Sequence, residues 1–173
     1  MKKLNLKNYI RDIPDFPKTG ILFRDITPLL ADKLALSTAI NLLSDKFKNK
    51  KVDCVVAAEA RGFILAGAVA KKLSAGFVPV RKKNKLPWRT YQASYNLEYG
   101  VDTLEIHQDA FKPSSRVLIL DDLLATGGTV RAIIDLVRQL GGKIIGICFL
   151  IELTALAGRR KLKGYPVYSL IKY

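Results

Sequence analysis

Histidine, cysteine and acidic residues are all scarce in this chain. Its 173 residues hold one His and two Cys, too few for a zinc site, and no recognisable Cys/His metal spacing occurs. Cys54 and Cys148 both stand in apolar, strand-like runs, so reduced core thiols are expected. His107 lies in a half-exposed strand pattern and is expected to face solvent rather than to catalyse. The longest strongly apolar run, Phe63 to Ala70, is far short of a membrane span, and the Met-Lys-Lys start leads into no signal-peptide core, which points to the cytoplasm. Against 15 Asp and Glu stand 29 Lys and Arg, a formal charge of +14. Such a balance favours polyanionic partners, either nucleic acid or phosphorylated small molecules, although lysines spread over a solvated surface also produce it. No Gly-x-Gly-x-x-Gly fingerprint occurs, and the Gly62 to Gly67 spacing lacks the Lys-Ser/Thr of a P-loop, so neither nucleotide motif applies. Internal repeats, low-complexity linkers and a helix-turn-helix appendage are likewise missing. With 49% hydrophobic residues the chain is the size of a single domain, 1–173.

What is present concentrates in Val117–Val130. Val117 to Leu120 are four apolar residues, too few for a buried helix, and read as a strand covered on both faces. Asp121 and Asp122 end it. Ala125, Thr126, Gly127, Gly128 and Thr129 then make a tight turn, and Val130, Ile133, Ile134 and Val137 recur at helical spacing behind it. Unpaired amides beside the positive end of a helix dipole make an anion cradle, and glycine lets a phosphate approach the backbone. The two carboxylates would repel that phosphate, and suit sugar hydroxyls or a divalent cation instead. A phosphate on one side and hydroxyls on the other describe a ribose 5-phosphate. The plainer alternative is a glycine-capped turn with two solvated acids.

Asp-Asp-Leu-Leu-Ala-Thr-Gly-Gly-Thr closely resembles the phosphoribosyl-diphosphate (PRPP) loop of type I phosphoribosyltransferases, most of all of the members that use adenine. The resemblance runs from about Ile13 to Leu162. It implies the α/β fold of that family: a mainly parallel central sheet flanked by helices, with a mobile β-hairpin lid at about 82–107 and a small N-terminal hood at about 1–33. Pro14-Asp-Phe-Pro17 and Phe23-Arg-Asp-Ile-Thr-Pro28 resemble the segment that lies over the base in those enzymes. There Leu22 and Arg24 would offer backbone groups to adenine, while Phe23 stacks on the ring opposite Leu123. Glu59-Ala-Arg61-Gly-Phe resembles the pyrophosphate loop, with a cis peptide implied at Glu59-Ala60. Arg81, Lys82 and Lys85, near a strand end, suit a pyrophosphate. Glu98-Tyr99 matches the lid's Glu-Tyr pair.

The remaining elements follow from pattern. Residues 1–12 read as a short helix, and Leu36, Ala39, Ile40, Leu43 and Phe47 mark an amphipathic one. Val52–Ala58, Gly76–Arg81, Asp102–His107 and Ile144–Leu153 read as strands, with Val167–Ile171 as a further edge. Arg89 to Gly100 carries Tyr91, Tyr95 and Tyr99 at every fourth position, yet its composition favours a hairpin. The apolar helix 63–73 suggests an oligomer interface or a tight fit on the sheet, and the stretch after Leu153 resembles the family's closing helix.

By resemblance the chain is an enzyme of purine salvage that joins adenine and PRPP into AMP and pyrophosphate, as a homodimer. Arg61, Glu98 and Tyr99 would be catalytic. Mg²⁺ would be held mainly by PRPP, with no dedicated protein ligand assigned. Neither membrane nor nucleic acid is expected as a partner. The alternatives are a transferase for another purine, or a PRPP-sensing regulator that holds nucleic acid on the same fold.

Overall fold

The computed structural model describes residues 4–97 and 100–173. Two compact units divide the chain, 1–42 and 43–173.

In the first unit, strands β1 (Arg11–Ile13) and β2 (Phe23–Asp25) pair antiparallel, Ile13 opposite Phe23. A single 3-10 turn, Leu6–Tyr9, stands where a helix over 1–12 was expected. Only Leu6 of that turn is buried, so no apolar face is available to hold a longer helix, and the chain pairs as a strand instead. Between the strands, Gly20 donates its N–H to Asp15 Oδ1 at 2.7 Å and closes the Pro-rich turn. Phe16 meets Phe23 edge to face, ring centres 5.1 Å apart. Short helix α1 (Thr27–Ala31) follows, with proline in its first turn, and α2 (Lys33–Asp45) carries the chain into the second unit.

The second unit is built on a seven-stranded sheet in the order β5-β6-β4-β3-β7-β8-β9. These strands are β3 (Cys54–Ala58), β4 (Gly76–Lys82), β5 (Thr90–Leu97), β6 (Gly100–His107), β7 (Arg116–Leu124), β8 (Lys143–Glu152) and β9 (Val167–Lys172). From β4 to β9 the pairing is parallel; β5 and β6 form an antiparallel hairpin that joins the edge through β6 and β4. All five residues of β3 are buried, as a strand covered on both faces requires. Val117 to Leu120 of β7 are fully buried too.

Helix α3 (Arg61–Lys72) returns from β3 to β4, and α4 (Gly128–Gln139) from β7 to β8. Since the chain leaves β3 one way across the sheet and β7 the other, their adjacent carboxyl ends form a topological switch point, where α/β sheets leave a crevice. Val130, Ile133, Ile134 and Val137 all point inward from α4. Among the described residues no helix is long and apolar enough to cross a membrane.

Three further expectations are corrected. Two 3-10 turns, Thr154–Leu156 and Gly158–Leu162, replace the closing helix, because Ala157 turns left-handed (φ 50°) between them. In β6, Leu104, Glu105 and Ile106 are all buried, so the strand is not half-exposed in alternation. Glu105 is tolerated there because its carboxylate accepts from Gln92 Nε2 at 2.9 Å and Asn84 N–H at 3.1 Å. His107 does not face solvent: its ring is half-buried, edge-on to Trp88, with Nε2 enclosed. Cys54 and Cys148 are free and buried, and burial pushes their thiols up to about 11 and about 12.

Candidate active site

The crevice between β3 and β7 holds a cavity of about 290 Å³. Its walls include Glu59, Ala60 and Arg61 from the β3–α3 loop, Asp121, Asp122 and Leu123 from the end of β7, and Ala125 and Thr129 from the turn into α4. Lys82 enters from the end of β4. All nine were expected as site residues from separate segments, and they come together here from three strand ends, those of β3, β7 and β4.

Gly127 caps α4 in a left-handed conformation, φ 78°. A side chain there would meet the Gly158 carbonyl oxygen at 2.7 Å, and one at Gly158 would collide with the Ala125 carbonyl oxygen. The turn is thus backed by a second glycine, far away in sequence, and its other side is open. Among the described residues, no backbone hydrogen bond outside the ladders and helices uses an amide of Ala125 to Thr129 as donor. These amides belong to the positive end of α4 and have no backbone acceptor of that kind among the described residues, which suits an anion site. Gly128 lines a neighbouring cavity of about 270 Å³ with Arg131 and Lys161.

Asp121 and Asp122 are not solvated acids. Both are buried, and Asp121 Oδ1 accepts the Asp122 N–H at 2.9 Å. A Cβ on Gly62 would come within 2.8 Å of that same oxygen, so glycine in the first turn of α3 lets the carboxylate approach. Burial, and then the neighbouring Asp122 charge, push the Asp121 carboxyl well above its ordinary range. Asp122 instead pairs with Arg61, Nε to Oδ2 2.7 Å, which ties the two loops across the cavity.

The peptide Glu59-Ala60 is cis. Glu59 accepts the Lys82 N–H at 2.7 Å and an Arg81 guanidinium N–H at 3.1 Å. Burial pushes this carboxyl up, but those two donors outweigh it and hold the group below its usual range. Arg81 also donates to the Lys85 carbonyl at 3.1 Å. Arg81 and Lys85 were expected at the anion; the structure puts them outside the cavity lining, where Arg81 fixes the Glu59 loop.

In the first unit, Leu22 is exposed, Phe23 lies in β2, and the Arg24 side chain pairs with Asp12. Glu98 and Tyr99 lie outside the described residues. Tyr95 and Leu104 also line the cavity and were not assigned from sequence. Ala93 and Tyr95 share the inward face of β5, and that period-two signal would have found the tyrosine.

A model of the phosphoribosyl transferase domain matches residues 26–172. The chain belongs to the phosphoribosyltransferase family. It is 56% identical over 169 residues to the adenine phosphoribosyltransferase of Koribacter versatilis, covering 98% of this chain and 93% of that one. To the adenine phosphoribosyltransferase of Thermotoga maritima it is 54% identical over the full length of both. The solved adenine phosphoribosyltransferase of Thermoanaerobacter pseudethanolicus superposes with a TM-score of 0.94 at 53% identity, covering 97% of this chain and 98% of that one. The Saccharomyces cerevisiae enzyme, solved with an imino-altritol bisphosphate and adenine, gives 0.90 at 39% identity and 95% of each chain. The family's fold is the one described above, down to the mostly parallel sheet.

Proposed function

We propose that this member of the family transfers the 5-phosphoribosyl group of PRPP to N9 of adenine, giving AMP and pyrophosphate in purine salvage. It is a pentosyl glycosyltransferase. The observation that carries the reading is the open amide-lined turn beside a buried carboxylate pair, in a chain more than half identical, end to end, to adenine phosphoribosyltransferases.

Displacement at ribose C1 passes through a transition state with oxocarbenium character, so the protein must fix the sugar, neutralise the leaving anion and exclude water. On this reading the amides of Ala125 to Thr129 hold the 5-phosphate, and Asp121 and Asp122 accept from the ribose hydroxyls. Arg61, already bonded to Asp122, sits between sugar and leaving group, and Lys82 and the Glu59-Ala60 loop face the diphosphate. Arg81 and Lys85 support that loop through Glu59 and add positive field. Leu22, Phe23, Arg24 and Leu123 bind the base. Glu98, with Tyr99, takes or steers the N9 proton as the lid, about 82–107, closes over the site.

Mg²⁺ fits this donor set. Among the described residues no three His, Cys, Asp or Glu side chains gather as a cage, while a magnesium ion commonly takes one or two carboxylates plus substrate phosphates. Bound to the diphosphate, it would supply charge neutralisation of the leaving group. Cytoplasmic location accords with the unpaired thiols Cys54 and Cys148, and a homodimer with the exposed apolar residues beside α3.

Mixing the protein with adenine, PRPP and Mg²⁺ should release pyrophosphate and form AMP, with guanine and hypoxanthine much poorer acceptors. No release, together with tight and salt-sensitive binding to nucleic acid, would instead support a PRPP-sensing regulator.

A further inference from the structure

Tyr95 is not among the site residues assigned from sequence, yet it lines the cavity, which Arg81 and Lys85 do not. It lies on β5 of the hairpin, packs against the core, and lines both the 290 Å³ cavity and the neighbouring 270 Å³ cavity at the start of α4. Its hydroxyl donates to Asp102 Oδ2 at 3.2 Å, and Lys82 Nζ is 3.3 Å from the same oxygen. The other carboxylate oxygen accepts the Thr103 N–H at 2.9 Å, so Asp102 is held on both sides. Thr129, in the first turn of α4, is close enough to act on the phenol and lines the same cavity. Burial raises the Tyr95 phenol above its ordinary range, so at neutral pH the hydroxyl keeps its proton and remains a donor. A half-buried neutral donor at the mouth of an amide cradle is suited to an anion.

We propose that Tyr95 is a PRPP-binding residue of the lid hairpin, its hydroxyl donating to the 5-phosphate held by Ala125 to Thr129, and that Asp102 holds that proton while no phosphate is bound. The proposal rests on the transferase reading above. In the structure described here the phenol bonds Asp102; with the phosphate bound, it turns its proton to a phosphate oxygen while Asp102 keeps Lys82. Hairpin and phosphate turn are then joined through the substrate, so the 5-phosphate end helps to seat the lid before any base arrives.

Titration calorimetry with two half-substrates separates this from a packing role. Tyr95→Phe keeps the ring and removes only the donor; it should weaken ribose 5-phosphate about tenfold or more, the worth of one hydrogen bond to a charged oxygen. Pyrophosphate binding should stay as in the parent, and in steady state KM should rise for PRPP but not for adenine. Unchanged ribose 5-phosphate affinity in Tyr95→Phe, or a loss confined to pyrophosphate, would overturn the proposal. Asp102→Ala removes the acceptor that competes for the phenol proton, so ribose 5-phosphate should bind at least as tightly as it does to the parent. Weaker ribose 5-phosphate binding in Asp102→Ala would overturn the exchange of partners, and this variant carries the test should Tyr95→Phe unfold. If the parent binds ribose 5-phosphate yet makes no AMP, the transferase reading fails while the Tyr95 contact is still measurable.

Discussion

Asp121, a ribose-binding residue on the proposed reading, shows what a single buried carboxyl costs the fold. Its carboxyl is buried at the end of β7 against Gly62 and beside Asp122, and both burial and the neighbouring charge raise its pKa well above the ordinary value. A carboxyl raised in the folded state contributes stability that is complete at acid pH and is lost as pH rises through the folded value. At neutral pH it is therefore a liability. Asp121→Asn keeps the oxygen that accepts the Asp122 N–H and removes the charge; it should gain about 1 kcal/mol, or ~2–4 °C in the melting temperature. The same variant should lose affinity for ribose 5-phosphate. An unchanged or lower melting temperature across neutral pH would show that the charge is not the cost. Glu98 makes the opposite kind of test, because it serves chemistry alone on the present reading. Glu98→Leu should leave PRPP binding intact and lower kcat by about 10² or more, as loss of a general base does.

Among the elements, the segment 157–163 matters more than its length suggests. Arg159 donates to both oxygens of Glu152 at the end of β8, at 2.9 and 2.6 Å, and to the Val167 carbonyl of β9 at 2.9 Å. That pins Gly158 behind the Ala125–Thr129 turn, where no side chain fits. The Arg159 hydrogen bonds outweigh burial and hold the Glu152 carboxyl down at about 2. With the folded value depressed, the stabilisation is present above the ordinary carboxylate value of 4.5 and is lost as pH falls through about 2. Arg159→Ala should flatten that acid limb in melting temperature measured against pH, and should raise KM for PRPP about tenfold by loosening the turn. An unaltered acid limb would show that the pair contributes little. None of this was legible in sequence, where the stretch after Leu153 resembles a closing helix. The strand, turn and helix of 117–137 were legible because each signal there is local: a run of four apolar residues, two glycines, a 3.6 period. Glu152–Arg159, Gly158–Gly127 and Tyr95–Asp102 join residues through tertiary packing, which no spacing in the chain encodes. Arg11 and Asp12 misled for the same reason, since pairing with β2 overrides a weak helical preference.

For the molecule as a whole, the formal charge of +14 and the exposed apolar residues point to different partners. The charge suits a small polyanion: a positive surface raises the encounter rate with PRPP without adding contacts, and salt should reduce that advantage. The apolar face suits a second copy. Leu65, Ala66, Val69 and Ala70 turn α3 inward, yet Ile64 stays 50% exposed and Phe77 on β4 38% exposed, with Phe63 edge-on to Phe77 at 5.3 Å. Single exposed apolar side chains need no explanation, but a branched aliphatic and two aromatic rings on adjoining elements are better covered. A homodimer through this face would bury them, and it would stand directly behind the Glu59–Arg61 loop, because α3 begins at Arg61. Ile64→Asp with Phe77→Asp should therefore halve the mass seen in sedimentation velocity at micromolar concentration while leaving the far-ultraviolet dichroism of the sheet and helices in place. It should also lower turnover, as the loop that α3 anchors loses its support. A double variant that sediments like the parent would place the contact between copies on some other surface.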